Sequence, residues 1–327
     1  MTLSPSSPPR ARSPRSRKCF GLALLALALA PSCATYPERT GNALNVFQSG
    51  QFERAIGIYE DVRTTKSKFL SAAEAGSAAF AAGDWDKTLE LWGRAADISR
   101  EDERKALISA ESLAESLTAL AISESASEYT GEGYERVQLH AGMAMAYLAK
   151  GEFESARVEV RRANALLENQ EELYEKEYRA GGVGHLISAL TYELEESYDD
   201  AWIDYMRMLR KDVGSDLAGR ALVRLARRME RENEIPDLME RYGADPPPPD
   251  GAASIVVIGG LGLGPYKREI TIPVPTPSGF IQWSVPTYQE RPQLVRGLRI
   301  EAPELSAAVQ SDSVEDVPVV AKENLED

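Results

Sequence analysis

Residues 134–164 constrain the fold most strongly, because they read as two amphipathic helices joined by a tight turn at residues 150–152. Before the turn, small and apolar residues recur at helical spacing, namely Val137, Ala141, Ala144, Met145 and Leu148. After the turn the same spacing continues with Phe153, Ala156, Val160 and Ala163. Small side chains allow two helix backbones to approach closely, so this stretch predicts a packed helix-turn-helix unit.

The same pattern surrounds four anchor positions, which are Gly50, Gly83, Gly151 and Glu196. An aromatic residue follows two positions after each anchor: Phe52, Trp85, Phe153 and Tyr198. A small residue stands seven positions before it: Ala43, Gly76, Ala144 and Ala189. Five positions after the anchors come Ala55, Thr88, Ala156 and Ala201, and nine after come Tyr59, Trp92, Val160 and Tyr205. The last two units also carry Tyr147 and Tyr192 four positions before the anchor. The chain therefore contains a repeated two-helix unit.

This pattern resembles the tetratricopeptide repeat, whose helix-turn-helix unit has about 34 residues. The resemblance covers residues 43–208, and it implies that the repeat residues named above pack helix against helix. The repeat period predicts a further turn near Leu117, but the sequence has no Gly there. We therefore expect one long helix over residues 101–127 in place of that turn. We expect a mostly α fold, with a tetratricopeptide-like α-solenoid at residues 41–243 followed by a small β-rich C-terminal segment.

The first 32 residues have the pattern of an export signal. Arg10, Arg12, Arg15, Arg17 and Lys18 form a basic region, and an apolar run of about 11 residues follows it. Such a run is too short to span a bilayer stably and suits a secretory signal. We therefore set residues 1–32 aside as a signal peptide.

Cys33 follows the apolar run directly and resembles a bacterial lipoprotein processing site, which would make a lipidated Cys33 the new amino terminus. Residues 33–40 would then be a lipidated tether, and several acyl chains would anchor it firmly. Ala34 rather than Asp follows the cysteine, which favours an outer membrane lipoprotein facing the periplasm. Simple cleavage after Ala34 is the alternative.

Composition excludes several classes of function. Removal of the five basic signal residues takes the net charge from −14 to about −19, which disfavours nucleic acid as a partner. Cys19 would leave with the signal and Cys33 would be lipidated, so disulfides and cysteine-based metal sites are excluded. We expect no cofactor.

Four consecutive prolines mark residues 244–252 as a linker. In the segment 253–327 the pattern changes to short strands, predicted at residues 254–258, 268–274, 280–285 and 294–300, with a turn at residues 276–279. The layout resembles an uncharacterised bacterial lipoprotein family with a helical repeat region and a β-rich tail, on the residues at 134–137, 156–159, 264–269 and 286–291. In that family the helix that begins near Val314 would continue past residue 327.

The two histidines, His140 and His185, both lie 11 residues before an anchor. This equivalence favours packing positions on the first helix of a repeat, and a shared metal or acid-base role is the alternative. The glycine-rich run at residues 259–264 lacks the strand-loop-helix context of a nucleotide site, so we interpret it as a turn.

Together these features predict an exported, lipid-anchored scaffold of the cell envelope, not an enzyme, that binds a protein or peptide partner in a helical-repeat groove. The alternative is an envelope hydrolase or a glycan-binding enzyme with its site between the repeat domain and the β tail. A broad open groove would favour the scaffold, whereas a deep pocket with converging titratable groups would favour the enzyme.

Overall fold

The computed structural model describes residues 35–112, 129–174, 181–243, 255–277, 279–293, 295, 297–301, 309–311 and 313–323. Over these residues the chain is mostly α-helical, and its helices pack in chain order as pairs joined by short turns. In chain order the helices are α1 (Tyr36–Gln48), α2 (Phe52–Glu60), α3 (Val62–Thr65), α4 (Lys68–Ala82), α5 (Trp85–Ser112), α6 (Gly133–Ala149), α7 (Phe153–Tyr174), α8 (Gly182–Leu194), α9 (Tyr198–Arg210), α10 (Ser215–Arg228) and α11 (Ile235–Tyr242). The pairs are α1 with α2, α4 with α5, α6 with α7, α8 with α9, and α10 with α11.

The turn between the two helices of a repeat has the same backbone conformation in all four repeats. The anchors Gly50, Gly83 and Gly151 have φ values of 75°, 74° and 75°. Glycine reaches this left-handed region without steric cost, which explains its recurrence there. Glu196 occupies the same turn position with φ 59°. The repeat geometry is therefore kept even where the glycine is replaced.

Small buried residues hold the paired helices together. Ala144 on α6 and Ala156 on α7 are completely buried, and so are Ala189 on α8 and Ala201 on α9. All four belong to one apolar cluster that continues through α10 and α11. Helices α10 and α11 are thus a fifth helix pair that closes this cluster.

One helical segment differs from the sequence-based expectation, and a second agrees with it. The first helix begins at Tyr36, so part of the tether expected at residues 33–40 is helical. A capping box formed by Thr35 and Glu38 explains this early start, because it satisfies free N–H groups of the first turn. The second segment is α5, which runs for 28 residues and supplies the long helix expected from residue 101, as far as Ser112. The missing turn near Leu117 and the proline linker lie outside the described residues.

The C-terminal segment contains a long hairpin of β1 (Tyr266–Thr276) and β2 (Gly279–Gln289), antiparallel with Thr276 opposite Gly279. A second, very short pair joins β3 (Arg299–Ile300) to β4 (Val309–Gln310), and helix α12 (Val317–Glu323) follows. The strand predicted at residues 254–258 is absent, since the described part, from Ile255, has no regular structure and is exposed. High strand propensity does not create a strand without a neighbour to pair with.

The hairpin has one apolar face that lies in solvent. Residues opposite each other in an antiparallel pair share a face, and the pairs Ile270–Val285, Ile272–Trp283 and Val274–Ile281 form a continuous apolar row. The side chain of Trp283 is 60% exposed. A two-stranded hairpin of this kind is marginally stable by itself, so its position depends on contacts at its base.

Candidate functional site

The C-terminal segment that follows the proline linker, called the tail from here on, lies along the first helices of the repeats. Lys267 forms an ion pair with Glu132 at the start of α6, and Glu315 hydrogen-bonds to residues of α6 and α8. Arg291 lies close enough to Tyr36 of α1 and Glu74 of α4 to influence both pKa values. We call the surface contacted by the tail the first-helix face, defined by Tyr36, Glu74, Glu132, Tyr134, Gln138, Gly181, Gly182, Val183 and Gly214.

Glu315 is the most completely bound tail residue. Its Oε1 accepts a hydrogen bond of 2.9 Å from Nε2 of Gln138, and its Oε2 accepts one of 3.0 Å from the backbone N–H of Val183. The N–H of Gly181 also contributes. These backbone donors belong to the first turn of α8, where unpaired N–H groups and the helix dipole favour a negative charge. Burial raises the pKa of Glu315 above its ordinary value, and these hydrogen bonds oppose the shift.

Aliphatic residues flank Glu315 and anchor the segment. Val314 packs against the apolar cluster of α6 to α11. Val320 and Ala321 of α12 are buried against Tyr134, with Val317 beside them. The segment from Val314 therefore has packing partners on the repeats. The sequence does not show that Tyr134 is the packing partner of α12, because the two are almost 190 residues apart in the chain.

Gly182 permits the close approach of this segment. A Cβ atom at this position would lie 2.4 Å from the carbonyl oxygen of Val314, which is shorter than any normal contact. Gly182 is also the first residue of α8, next to the donors that hold Glu315. The backbone of the tail therefore rests directly on the backbone of the helix start.

Two carboxylates lie between the repeats and the tail, where the enzyme alternative places its site. The hydroxyl of Tyr36 donates a 2.6 Å hydrogen bond to Glu74, and the hydroxyl of Tyr129 donates one to Glu135. Burial raises the pKa of both carboxyls. Each carboxylate thus accepts a hydrogen bond from a tyrosine of the repeat domain.

The side chain of Lys267 links the hairpin to the start of α6. Nζ of Lys267 lies 5.6 Å from the ring centroid of Tyr129 and 5.8 Å from that of Tyr288. Its ion pair with Glu132 is partly exposed, so this pair contributes little by itself. The two ring contacts add to it because aromatic faces attract cations. This contact joins the base of the hairpin to the start of α6.

The two histidines occupy equivalent positions in adjacent repeats. Nδ1 of His140 lies 2.6 Å from Glu159, and Nδ1 of His185 lies 3.0 Å from Asp204. Both pairs are buried and join the first helix of a repeat to its second helix. Within the described ranges, no group of three or more His, Cys, Asp or Glu side chains is arranged to hold a metal ion.

Most of the repeat residues predicted from the sequence lie inside the helix pairs, and His185 among them is also close enough to Glu315 of the tail to influence its pKa. His140, His185, Ala144, Ala156, Ala189, Ala201, Tyr192 and Tyr205 are buried, Trp85 and Tyr147 are partly buried, and Gly83 and Gly151 form turns. Phe153 differs from the expected interior position, because its side chain is 44% exposed at the start of α7. Cys33 lies outside the described residues.

Sequence reasoning missed the residues that hold the tail, above all Gln138, Val183 and Glu315. The available signal was the aliphatic run at residues 317–321, which follows an acidic stretch near the end of the chain. Such a run would be unusual in a fully solvated tail.

A cavity of about 190 Å³ lies between α7 and α9 and is lined mainly by charged side chains. Its charges pair with each other, since Arg207 contacts Glu168 at 2.6 Å and Lys211 contacts Glu171. The cavity is therefore a cleft between helices whose charged lining forms ion pairs. Among the residues that the structure describes, no helix combines the length and apolar character needed to cross a bilayer.

Comparison with known proteins gives likenesses of fold. The chain is similar to YrrB, a TPR protein with an unusual peptide-binding site, with 13% identity over 66% of this chain and 89% of that one, and a TM-score of 0.39. It is also similar to a kinesin-light-chain candidate from Podosopora anserina with nearly identical TPR-like repeats, with 16% identity over 62% and 91% of the two chains and a TM-score of 0.41. No family model matches the sequence, and no curated protein matches it.

Proposed function

We propose that this protein is an exported, lipid-anchored scaffold of the cell envelope that binds a protein or peptide partner through its first-helix face. The observation that carries the proposal is the docked tail. The first-helix face accepts an extended chain segment and a short helix, with one carboxylate hydrogen-bonded to Gln138 and Val183 and aliphatic side chains against Tyr134. A surface that binds one segment in this way has the features of a peptide-binding surface.

The repeat architecture supports the same function. Stacked helix pairs present a long surface built from consecutive first helices, and such surfaces suit extended partners. The signal segment and Cys33 support export and anchoring, with the outer membrane and a periplasmic orientation as the proposed location. The hydrolase alternative would have to use Glu74 and Glu135, whose carboxylates each accept a hydrogen bond from a tyrosine hydroxyl.

Site-specific photocrosslinking in intact envelopes tests this function. A photoreactive phenylalanine analogue replaces Gln138 on the first-helix face, and in a matched variant it replaces Val158, which is 46% exposed on α7. We expect an adduct between the protein and a second protein at position 138 and much less at position 158. Equal adducts at both positions, or none at position 138, would refute binding on this face.

A further inference from the structure

We propose that the part of the first-helix face formed by Tyr134, Gln138, Gly181, Gly182, Val183 and Gly214 is specific for acidic aliphatic peptides, and that residues 313–323 of the chain occupy it until a partner segment of the same chemistry replaces them. This inference rests on the proposed function and names the class of its partner. The ligand it describes carries a carboxylate, an aliphatic residue immediately before it, and aliphatic residues two, five and six positions after it. In this chain these are Glu315, Val314, Val317, Val320 and Ala321.

The preference for a carboxylate follows from the donors around Glu315. Nε2 of Gln138 and the N–H groups of Gly181 and Val183 converge on one carboxylate. The donors come from two consecutive repeats, α6 and α8, so the packing of the repeats fixes their separation. A carboxylate can accept several hydrogen bonds at once, whereas a cationic group would find only donors here. Burial raises the pKa of Glu315, and these hydrogen bonds together with the nearby His185 oppose that rise.

The preference for aliphatic neighbours follows from the surfaces on either side. Tyr134 is buried under Val320 and Ala321, and Val314 lies beside Gly214, where a Cβ atom would be 3.5 Å from the valine Cγ2. Aliphatic side chains suit these positions because the surrounding surfaces are apolar. The two sides together determine which side chains can precede and follow the carboxylate.

The tail is held weakly enough to be exchanged. Helix α12 has seven residues and is too short to be stable without its contacts. The strand pair before it has two residues on each side. The ion pair of Lys322 with Glu290 is half exposed, and pairs of this type contribute at most about 1 kcal/mol. A separate peptide nevertheless competes with a tethered segment, whose effective concentration is on the order of millimolar.

Fluorescence anisotropy with a labelled peptide of residues 311–323 tests the inference on the full mature chain. We expect Glu315→Ala to bind the peptide at least tenfold more tightly than the wild type, because its own tail competes less well. The matched control is Glu301→Ala, since Glu301 is an exposed tail carboxylate, and it should behave like the wild type. The same peptide carrying Glu315→Ala should bind at least tenfold more weakly to the Glu315→Ala protein.

The variant Gly182→Ala distinguishes binding at this site from nonspecific binding of the peptide to exposed apolar surface. Its methyl group would collide with the backbone of any segment bound as Val314 is, so it should exclude both the tail and the peptide. Binding by Gly182→Ala as tight as by Glu315→Ala would overturn the proposal. Equal binding by the wild type and Glu315→Ala would do so as well.

Hydrogen exchange on the wild type gives a test that needs no variant. A saturating amount of the unlabelled peptide should remove the protection of the amides of Val320 and Ala321, and unchanged protection would contradict the exchange. If crosslinking at position 138 finds a partner while peptide exchange fails, the scaffold function stands and the inference is wrong. If peptide exchange succeeds and crosslinking finds no partner, the specificity stands and the scaffold function is wrong.

Discussion

Trp92 of the second repeat lies directly against Gly142 of the third. A Cβ atom at Gly142 would be 2.5 Å from Cζ3 of the indole, and on the other side a Cβ at Gly76 would be 2.3 Å from its Cδ1. The indole Nε1–H donates a 3.0 Å hydrogen bond to the carbonyl of Ala73, which fixes the ring in this position. One tryptophan between two glycines therefore joins consecutive repeats.

We expect Gly142→Ala to lower the free energy of unfolding by about 1–3 kcal/mol, because the added methyl group overpacks the joint at Trp92. The control is Gly57→Ala, a helical position with no atom within 4 Å of the added Cβ. That change should raise stability by about 0.5–1 kcal/mol through the helix preference of alanine. Chemical denaturation of both variants measures the difference, and an equal effect of the two changes would contradict the role of the joint.

Ala156→Arg should cost several kcal/mol of stability, since an unpaired charge would enter the contact between helices α6 and α7. Ala156 is completely buried, like its neighbour Ala144 in the same cluster. Val158→Arg on the same helix is the control, because Val158 is 46% exposed. Thermal melting compares the two variants, and an unchanged melting temperature for Ala156→Arg would disprove the repeat register.

Asp204→Ala should lower stability by about 3 kcal/mol or more, because several buried donors would lose their acceptor. Asp204 accepts hydrogen bonds from His185, Ser188 and Asn164, and its side chain is almost completely buried. The control is Asp200→Ala, an exposed aspartate on the same helix. Urea denaturation measures both variants. Equal midpoints would show that the carboxylate is not a structural centre of this repeat.

Expressed alone, residues 251–327 should be poorly ordered, whereas residues 34–243 should be helical and unfold cooperatively. The hairpin leaves its apolar face in solvent, and α12 finds its buried contacts on Tyr134 of the repeats. About 75 residues without crosslinks bury too little apolar surface to offset the ordering cost of roughly 1–2 kcal/mol per residue. Circular dichroism and amide exchange on the two fragments test this. A tail fragment with a sharp melt and slowly exchanging amides would show an autonomous domain.

We expect Cys33 to be lipidated. Labelled palmitate should enter the wild-type protein and be absent from Cys33→Ser, because this cysteine is the only thiol left after removal of the signal. Membrane fractionation provides a second readout, in which the variant should move to the soluble fraction. Equal labelling of the two proteins would disprove lipidation at this residue.

The helical part of the fold follows from local sequence periodicity. The spacing of Ala144, Gly151 and Ala156 predicts a turn and a close helix contact, and the structure contains both a left-handed turn at Gly151 and two buried alanines. Such features depend on residues within one repeat, so a pattern in the sequence reveals them. The hairpin is equally local, because its strands are separated by one short turn.

The candidate site does not follow from local patterns. Gln138 and Glu315 are separated by 177 residues, and neither residue belongs to a recognisable motif. The donors at Gly181 and Val183 are backbone groups, which the sequence does not distinguish from any other helix start. The position of Phe153 shows a related limit of sequence periodicity. A helical stripe predicts which residues share a helix face, but it does not predict how far the neighbouring helix covers each side chain.

The long separation between Gln138 and Glu315 also sets an order of events during synthesis. A chain emerges from its amino terminus, and domains fold as they appear. During the proposed export the chain likewise emerges from its amino terminus, so the repeats that carry Gln138 and Val183 emerge before Glu315 does. During that interval the first-helix face is open, and a partner present at the site of synthesis or export meets it without competition from the tail. A partner that meets a newly made molecule therefore binds the open face, whereas a partner that meets a completed molecule must first displace the tail.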